Sequence, residues 1–546
     1  MEDGFDFRHG LLRSRERPEI PGALQSVADV LDRGFSASPD EEALVGRHAR
    51  YTYRELLEAS LRAAAVLDGL GVRTGDRVAA CLPNHTEIVV AFLGAMRVGA
   101  VWVGIPPSLA TPEKLFILDD CDANVLLADQ ATHDAVQARR RELRDLNQIL
   151  VAEPGPSEWS TALAREDDPA PPEEFDPFGP AAIAYTSGTT GRPKGVVHSQ
   201  HNLLLPGAVA AARAEWPPGF RQGVCLPLAI LNLQVLGPLL AFQTRGCCVA
   251  MDRTDALGIA EWVRTERIGT FAAVPTMLHD LLTHPDVSPD DLETLVAPGV
   301  GGADLPESFR ALYRERFGAE VTIGYGLTEA PTSVTRTDPD EPAVAGSCGR
   351  ALPHVEVVIV GPDGAELPDG EVGEVAVRAS GEGEFAGVWT PMLGYWNQPD
   401  ATREALRGGV LHTGDLGRLD EDGNLFITDR KNDLILRGGA NVYPAEVERV
   451  LHGDARVAAC AVVARPDERL GEVPVAFVQR TAGAAEDDDA LAAALADRCR
   501  AELAAWKTPV AFHFVDDFPR NAMGKIVKRA LRELAATGPA SRAAER

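Results

Sequence analysis

Residues 186–198 read TSGTTGRPKGVVH, and the rest of the chain is organised around them. The short apolar run before them, AAIAY at 181–185, predicts a buried strand that delivers a loop rich in Gly, Thr and Ser to the end of a sheet. In that loop Gly188, Gly191 and Gly195 let the backbone approach an anion closely. Thr186, Ser187, Thr189 and Thr190 offer hydroxyl donors, and Lys194 adds one positive charge. The pattern suits a polyphosphate. It is not a Walker A loop, because counting from Gly188 puts Pro193 in the second glycine position and Gly195 in the hydroxyl position. A GxGxxG dinucleotide fingerprint is absent as well.

Composition bounds what such a loop can serve. A chain of 546 residues with 45% apolar content is too long for one ordinary core, so two or more domains are expected. Lys plus Arg number 53 against 81 Asp plus Glu, a formal charge of -28 that opposes nonspecific attraction to nucleic acid or anionic membrane. An anionic ligand must therefore be held by local donors. The most apolar run, 88–105, carries Arg97 in its middle and ends at Pro106 and Pro107, which predicts a buried helix and strand rather than a membrane span. The start, MEDGFDFRHG, is acidic and lacks a secretory pattern, so the expected location is the cytoplasm. Eight cysteines without CxxC or CxxxC pairs fit reduced core thiols, and the sequon Asn84-His85-Thr86 carries no meaning in that compartment.

Along the chain, residues 1 to about 50 read as an arm leading into the fold, and Thr52 with Glu55 has the spacing of a capping box before a Leu/Ala-rich helix. Strand-like and helical runs then alternate to about 335, interrupted at 153–180 by a Pro- and acid-rich stretch that reads as a surface connection. Between about 340 and 430 short runs with turn signals such as Gly361-Pro362-Asp363-Gly364 predict a small antiparallel β unit. After that strands and a helix over 488–504 predict a separate small domain. The expected class is α/β: a large N-terminal domain, 1–430, of layered α/β subdomains plus the β unit, and a small mobile α+β C-terminal domain, 431–546.

Three further segments follow the loop in order: Tyr325-Gly326-Leu327-Thr328-Glu329, then Thr413-Gly414-Asp415 with Asp429-Arg430, then Pro519-Arg520-Asn521-Ala522-Met523-Gly524-Lys525. Together with 186–198 they resemble the adenylate-forming superfamily, which includes acyl-CoA synthetases, firefly-type luciferases and the adenylation domains of peptide synthetases. The likeness runs from about residue 25 to 535. It implies that a carboxylate attacks the α-phosphate of ATP, giving an acyl-adenylate and pyrophosphate, and that a thiol then displaces AMP. ATP, Mg²⁺ and coenzyme A are the implied cofactors.

By the same resemblance the loop residues and Lys194 embrace the β- and γ-phosphates, Glu329 holds Mg²⁺ and Thr328 meets the α-phosphate. Tyr325 stacks on adenine, with Gly301, Gly302 and Ala303 small enough to let the purine lie on backbone. Asp415 accepts from the ribose hydroxyls and Arg430 contacts the same ribose or phosphate. Lys525 resembles the mobile catalytic lysine of the adenylation step. The family rotates its small domain between the two half-reactions. The pivot matches Asn432, where Asp or Lys is usual, and Gly438 and Gly439 line the thiol tunnel of the second state.

The segment 226–242, LPLAILNLQVLGPLLAF, corresponds to the family's acyl-pocket helix and contains no charge, which disfavours an amino-acid substrate because a buried ammonium would lack a partner. Many acyl and aryl ligases carry an aromatic residue and a histidine near the positions of Ala229 and Ile230, and this chain has neither. Two consequences stand side by side: a pocket widened for a bulky apolar acid, or a shifted alignment in which Asn232 or Gln234 does the polar work. The expected activity is ATP-dependent acyl-CoA ligation. The alternatives are loading of an acyl carrier protein, thioesterification of a preformed acyl-adenylate by an enzyme with a weakened first half, and a nucleotide-binding protein without chemistry.

Overall fold

Two sheets carry the first half of the fold, and their central strands are buried on both faces, which is why Arg77–Cys81, Val101–Gly104, Val125–Ala128 and Cys247–Ala250 are apolar runs rather than alternating sequences. The computed structural model describes residues 5–6, 9–12, 17–22, 24–165, 174–186, 193–213, 216–296, 298–301, 307–318, 320–331, 333–338, 341–342, 344–430, 433–438, 440–467, 469–481, 487–520 and 526–537. In the first sheet the order is Gly394–Tyr395, Lys194–Ser199, Pro180–Thr186, Val101–Gly104, Arg77–Cys81, Val125–Ala128, Gln148–Val151. The last five are mutually parallel, whereas Lys194–Ser199 runs antiparallel to both its neighbours.

The period-two alternation of side chains sorts these strands between two cores. Val78, Ala80 and Trp102 pack with Leu56 and Ala63 of helix Tyr53–Gly69 and with Ile88 and Phe92 of helix Thr86–Arg97. Ala79, Cys81, Val101 and Val103 face the other way, toward Leu115 and Ile117 of helix Thr111–Asp120 and Val136 of helix Gln130–Gln137. The run 88–105 is thus a buried helix and strand, as expected. Helix Tyr53–Gly69 begins at the predicted capping box: the Glu55 amide donates to Thr52 Oγ1 at 3.2 Å and the Thr52 amide to Glu55 Oε2 at 2.8 Å.

The second sheet has nine strands, ordered Arg350–Ala351, Thr335–Arg336, Ile323–Tyr325, Gly299–Gly301, Thr270–Ala273, Arg221–Val224, Cys247–Ala250, Glu42–Val45, Arg50–Thr52. Its last two strands correct the expectation of an N-terminal arm: residues 42–52 form a hairpin at the sheet edge, because Ala43, Leu44 and Val45 are fully buried. The stretch 153–180 also holds more than a connection, since helix Glu158–Arg165 buries Trp159 against the first core.

The β unit is a four-stranded antiparallel sheet of Val355–Val360, Gly373–Ala379, Leu411–Leu419 and Leu425–Arg430, and its first turn falls at Gly361-Pro362-Asp363-Gly364 with Gly364 at φ 81°. Beyond it a five-stranded sheet, built on Val457–Asp467 paired with Gly471–Arg480, carries helices Pro444–His452, Asp488–Glu502 and Lys528–Thr537. The α/β class, with a large N-terminal and a small C-terminal part, is as expected. Among the described residues no helix is long and apolar enough to cross a membrane. Seven of the eight cysteines are buried free thiols, and Cys348 is half-buried.

Candidate active site

The strands on either side of the Gly/Thr/Ser-rich loop pair in register, Thr186 opposite Lys194 and Tyr185 opposite Gly195. Ser187, Gly188, Thr189, Thr190 and Gly191 lie outside the described residues. Gly195 has a structural reason of its own. It sits in ordinary strand conformation, and a Cβ there would fall 2.7 Å from Ile183 Cγ2 and 3.3 Å from Trp396 Cβ, so packing against those two side chains requires glycine.

Strand Lys194–Ser199 then pairs with Gly394–Tyr395, Val196 opposite Tyr395. This contact from two hundred residues downstream places the Tyr395 ring beneath the Lys194 ammonium, which lies 4.8 Å from the ring centroid. The Tyr395 hydroxyl donates to Glu329 Oε1 at 2.9 Å. Burial and the neighbouring carboxylate both push the phenol pKa upward, so it stays a donor. Lys194 and Glu329 therefore flank one tyrosine.

The turn bearing Thr328 and Glu329 is held from behind. His198 is buried, and burial lowers its imidazole pKa to about 4, so the ring is neutral. A carbonyl can only accept, so Nε2 carries the proton that bonds Thr328 O at 2.6 Å. The Met392 amide donates to Glu329 O at 3.1 Å.

A second group forms where the nine-stranded sheet meets the β unit. Tyr325, at the end of strand Ile323–Tyr325, donates its hydroxyl to Asp415 Oδ2 at 2.6 Å. Asp415 and Arg430 are register partners on neighbouring strands, and Arg430 Nε lies 3.3 Å from Asp415 Oδ1. Asp415 is buried whereas the Arg430 side chain is 64% exposed, so the carboxylate is fixed and the guanidinium is open to a ligand. Thr413 braces this strand by donating to Val375 O at 2.7 Å and accepting from the Asp415 amide at 3.1 Å. Gly301 pairs with Gly324, one residue before Tyr325. Gly302 and Ala303 lie outside the described residues.

Ala229 and Ile230 lie by the end of strand Val101–Gly104. Residue 104 ends the strand next to Pro180–Thr186, and a Cβ on Gly104 would stand 1.9 Å from the Ala229 carbonyl oxygen. The preceding turn is clamped by Asn84, whose Nδ2 donates to Val224 O and Leu226 O at 3.1 and 2.9 Å while its Oδ1 accepts from the Leu228 amide at 2.8 Å. Ala229 is buried, and Ile230 and Asn232 are half-buried. The predicted acyl-pocket helix over 226–242 starts later and is not uniform. An α turn at Leu231–Gln234 passes into a π-helical turn, Val235–Leu239, and then into Leu240–Gln243. Pro238 explains the wide turn, since it lacks the N–H an α turn needs.

In the C-terminal part, hairpin Ile435–Arg437 and Ala440–Val442 turns at Gly438, which has φ 58° and donates its amide to Leu470 O at 2.7 Å. Gly439, Asn432 and Lys525 lie outside the described residues. The ends of the segment holding Lys525 are joined, because Arg520 bridges Ile526 and the Val527 amide donates to Pro519 O at 2.8 Å.

Tyr395, His198 and Asn84 were not singled out from sequence. The signal for Asn84 was in view as a sequon, but its use as a turn clamp depends on contacts 140 residues away. For Tyr395 and His198 nothing local marks the role.

The residues 31–396 match the model of the AMP-binding enzyme family, and residues 446–525 that of the AMP-binding enzyme C-terminal domain. The chain belongs to the AMP-binding enzyme family. Among relatives of this AMP-binding enzyme, the long-chain-fatty-acid--CoA ligase FadD13 of Mycobacterium tuberculosis is 33% identical, covering 93% of this chain and 98% of that one. The 3-(7a-methyl-1,5-dioxo-octahydro-1H-inden-4-yl)propanoyl:CoA ligase of the same organism is 35% identical over 94% of this chain and 99% of its own length. The crystal structure of the anthranilate CoA ligase AuaEII in complex with anthranoyl-AMP superposes with a TM-score of 0.85 at 26% identity, covering 95% of this chain and 99% of that one. The enzyme is an AMP-forming acid–thiol ligase, which removes the alternative of a binding protein without chemistry.

Proposed function

We propose that this ligase activates an apolar, bulky carboxylic acid as its acyl-adenylate and transfers the acyl group to coenzyme A. The observation that carries the reading is the composition of the proposed acyl-pocket segment. The segment 226–242 has no charged residue, and at Ala229 and Ile230 it presents a small and an aliphatic side chain. A charged or amino acid substrate would be desolvated there without a counter-charge. The relatives named for a long-chain fatty acid and for a bicyclic propanoate support an acid of this size and polarity.

The residues divide the work as follows. A carboxylate oxygen bonds the α-phosphorus as the bond to pyrophosphate breaks, and Lys194 offsets charge on the departing phosphates while Thr328 meets the α-phosphate. Tyr325 and Asp415 hold adenine and ribose, with Arg430 at the ribose or phosphate. In the second half the thiol sulfur bonds the acyl carbon, AMP leaves, and the thiol proton passes to solvent.

The donors present fit Mg²⁺. Glu329 has lone pairs left after accepting from Tyr395, and no cluster of three or more metal-ligating side chains competes among the described residues. One carboxylate plus phosphate oxygens and water is the set this ion takes. When bound, the ion neutralises charge on the polyphosphate.

The test is mass spectrometry of acyl-CoA products across fatty, aromatic and polycyclic acids, with an acyl carrier protein as the competing acceptor and synthetic acyl-adenylates as competing donors. The expected result is a CoA thioester from ATP and a large apolar acid. Acylation of the carrier alone, or product only from preformed adenylates, would replace this reading with one of its rivals.

A further inference from the structure

The α turn Leu231–Gln234 ends in a side chain that is fully buried and whose two amide atoms, Oε1 and Nε2, have no hydrogen-bonding partner among the described residues. Other buried amides of this chain are engaged. Gln243, nine residues on, donates Nε2 to Leu204 O at 3.0 Å and Leu239 O at 3.3 Å. Gln200 donates to Met96 O at 2.9 Å and accepts from Ser26 Oγ at 2.8 Å. Asn84 uses both Nδ2 protons and its Oδ1 in three hydrogen bonds that clamp the 224–228 turn. Gln222 Oε1 also lacks a partner, but its Nε2 donates to Leu236 O, so among the described residues Gln234 differs in having both amide atoms open.

An unmet buried amide is destabilising, and a hydrocarbon side chain of the same shape would avoid that cost. Its neighbours in sequence, Leu231, Leu233, Val235 and Leu239, belong to the same apolar cluster as Ala229 and Ala182. Position adds to the case. Gln234 stands one turn after Ile230, and its short helix packs on strand Pro180–Thr186, which leads into the phosphate loop. The π turn begins at the next residue, and such turns recur at functional sites.

We propose that Gln234 is a specificity-determining residue that hydrogen-bonds an oxygen on the acid remote from its carboxylate. The substrate is accordingly a mostly hydrocarbon acid that carries a carbonyl or hydroxyl group. A carbonyl accepts from Nε2, and a hydroxyl can also donate to Oε1. This inference rests on the ligase reading above and narrows its substrate class.

The experiment compares wild type with Gln234→Met, which keeps volume and removes the amide, in ATP–pyrophosphate exchange with matched acids. The pairs are 3-cyclohexylpropanoic and 3-(4-oxocyclohexyl)propanoic acid, and decanoic with 9-oxo- and 9-hydroxydecanoic acid. Wild type is expected to favour the oxygenated member of at least one pair by about tenfold or more in kcat/KM, because a site with polar groups left unpaired discriminates against the analogue lacking the oxygen. Gln234→Met is expected to lose or reverse that preference with an unchanged or higher melting temperature. Equal preferences in the two proteins, or a variant that melts several degrees lower as loss of an engaged amide would cause, overturns the inference alone. Failure of wild type to exchange with any acid and to thioesterify any synthetic adenylate overturns the ligase reading and this inference with it.

Discussion

Asp415 concentrates three interactions on one buried carboxylate: the Tyr325 hydroxyl at 2.6 Å, Arg430 at 3.3 Å, and the proposed ribose hydroxyls. Charge-assisted hydrogen bonds contribute about 1.5–3 kcal/mol each, so Asp415→Ala should raise the KM for ATP about tenfold to a hundredfold. Steady-state kinetics with ATP and 2′,3′-dideoxy-ATP separate a ligand role from a structural one. Wild type should lose a similar factor with the dideoxy nucleotide, whereas Asp415→Ala should be indifferent to it; a variant that still discriminates would mean that Asp415 serves only to hold Arg430. Asp415, Tyr325 and Glu329 could be proposed from the sequence because each lies in a short motif whose neighbours mark it. Tyr395 was not, since its role is created by the pairing of Gly394–Tyr395 with a strand two hundred residues earlier.

Elements place these residues through close backbone contacts. Strand Val101–Gly104 approaches the Ala229 carbonyl so closely that an added methyl would stand 1.9 Å from the oxygen. Gly104→Ala must therefore displace the turn before Leu231–Gln234, and a shift of about 1 Å is expected to cost roughly a hundredfold in acid-dependent adenylation while the KM for ATP stays near wild type. The control is Gly69→Ala, where nothing lies within 4 Å; equal effects of the two variants would contradict the placement of the acyl segment.

At the far edge of the nine-stranded sheet Arg50 and Arg221 both bind Glu266, at 2.8 and 2.5 Å, and both bind Glu42, at 2.6 and 2.7 Å. Hydrogen bonding from Arg50 holds the Glu266 pKa below its ordinary 4.5. A depressed carboxylate pKa stabilises the fold above the unfolded value, and that contribution is lost as pH falls through the folded one. Glu266→Gln should thus lower the melting temperature by a constant amount from pH 8 to about 5, with the gap closing below pH 4.5. Thermal melts across that range check it, and a gap that widens in acid would contradict the pairing. The hairpin 42–52 that carries half of this network was hidden in the sequence because its four-residue strand has too few positions to show a period.

For the whole molecule, the α/β class was legible from alternation of apolar runs and turn signals over hundreds of residues, whereas the path of the acyl segment was not. The segment 226–242 was expected as one helix, whereas at Pro238 the chain widens to a π turn. The two half-reactions are proposed to use the small C-terminal part differently. Lys525→Ala should slow acyl-adenylate formation by orders of magnitude and leave thioester formation from supplied adenylate nearly intact, since a charge presented in one orientation stabilises one transition state. Equal losses in both halves would contradict the rotation. The central claim is that an acid is adenylated at the site where Lys194, Tyr395 and Glu329 meet. Its most direct test is acid-dependent ATP–pyrophosphate exchange in wild type and Glu329→Ala. The account predicts exchange that requires both a large apolar acid and Mg²⁺ and that falls by at least about a hundredfold in the variant; exchange that is absent with every acid, or unchanged without Glu329, would contradict it.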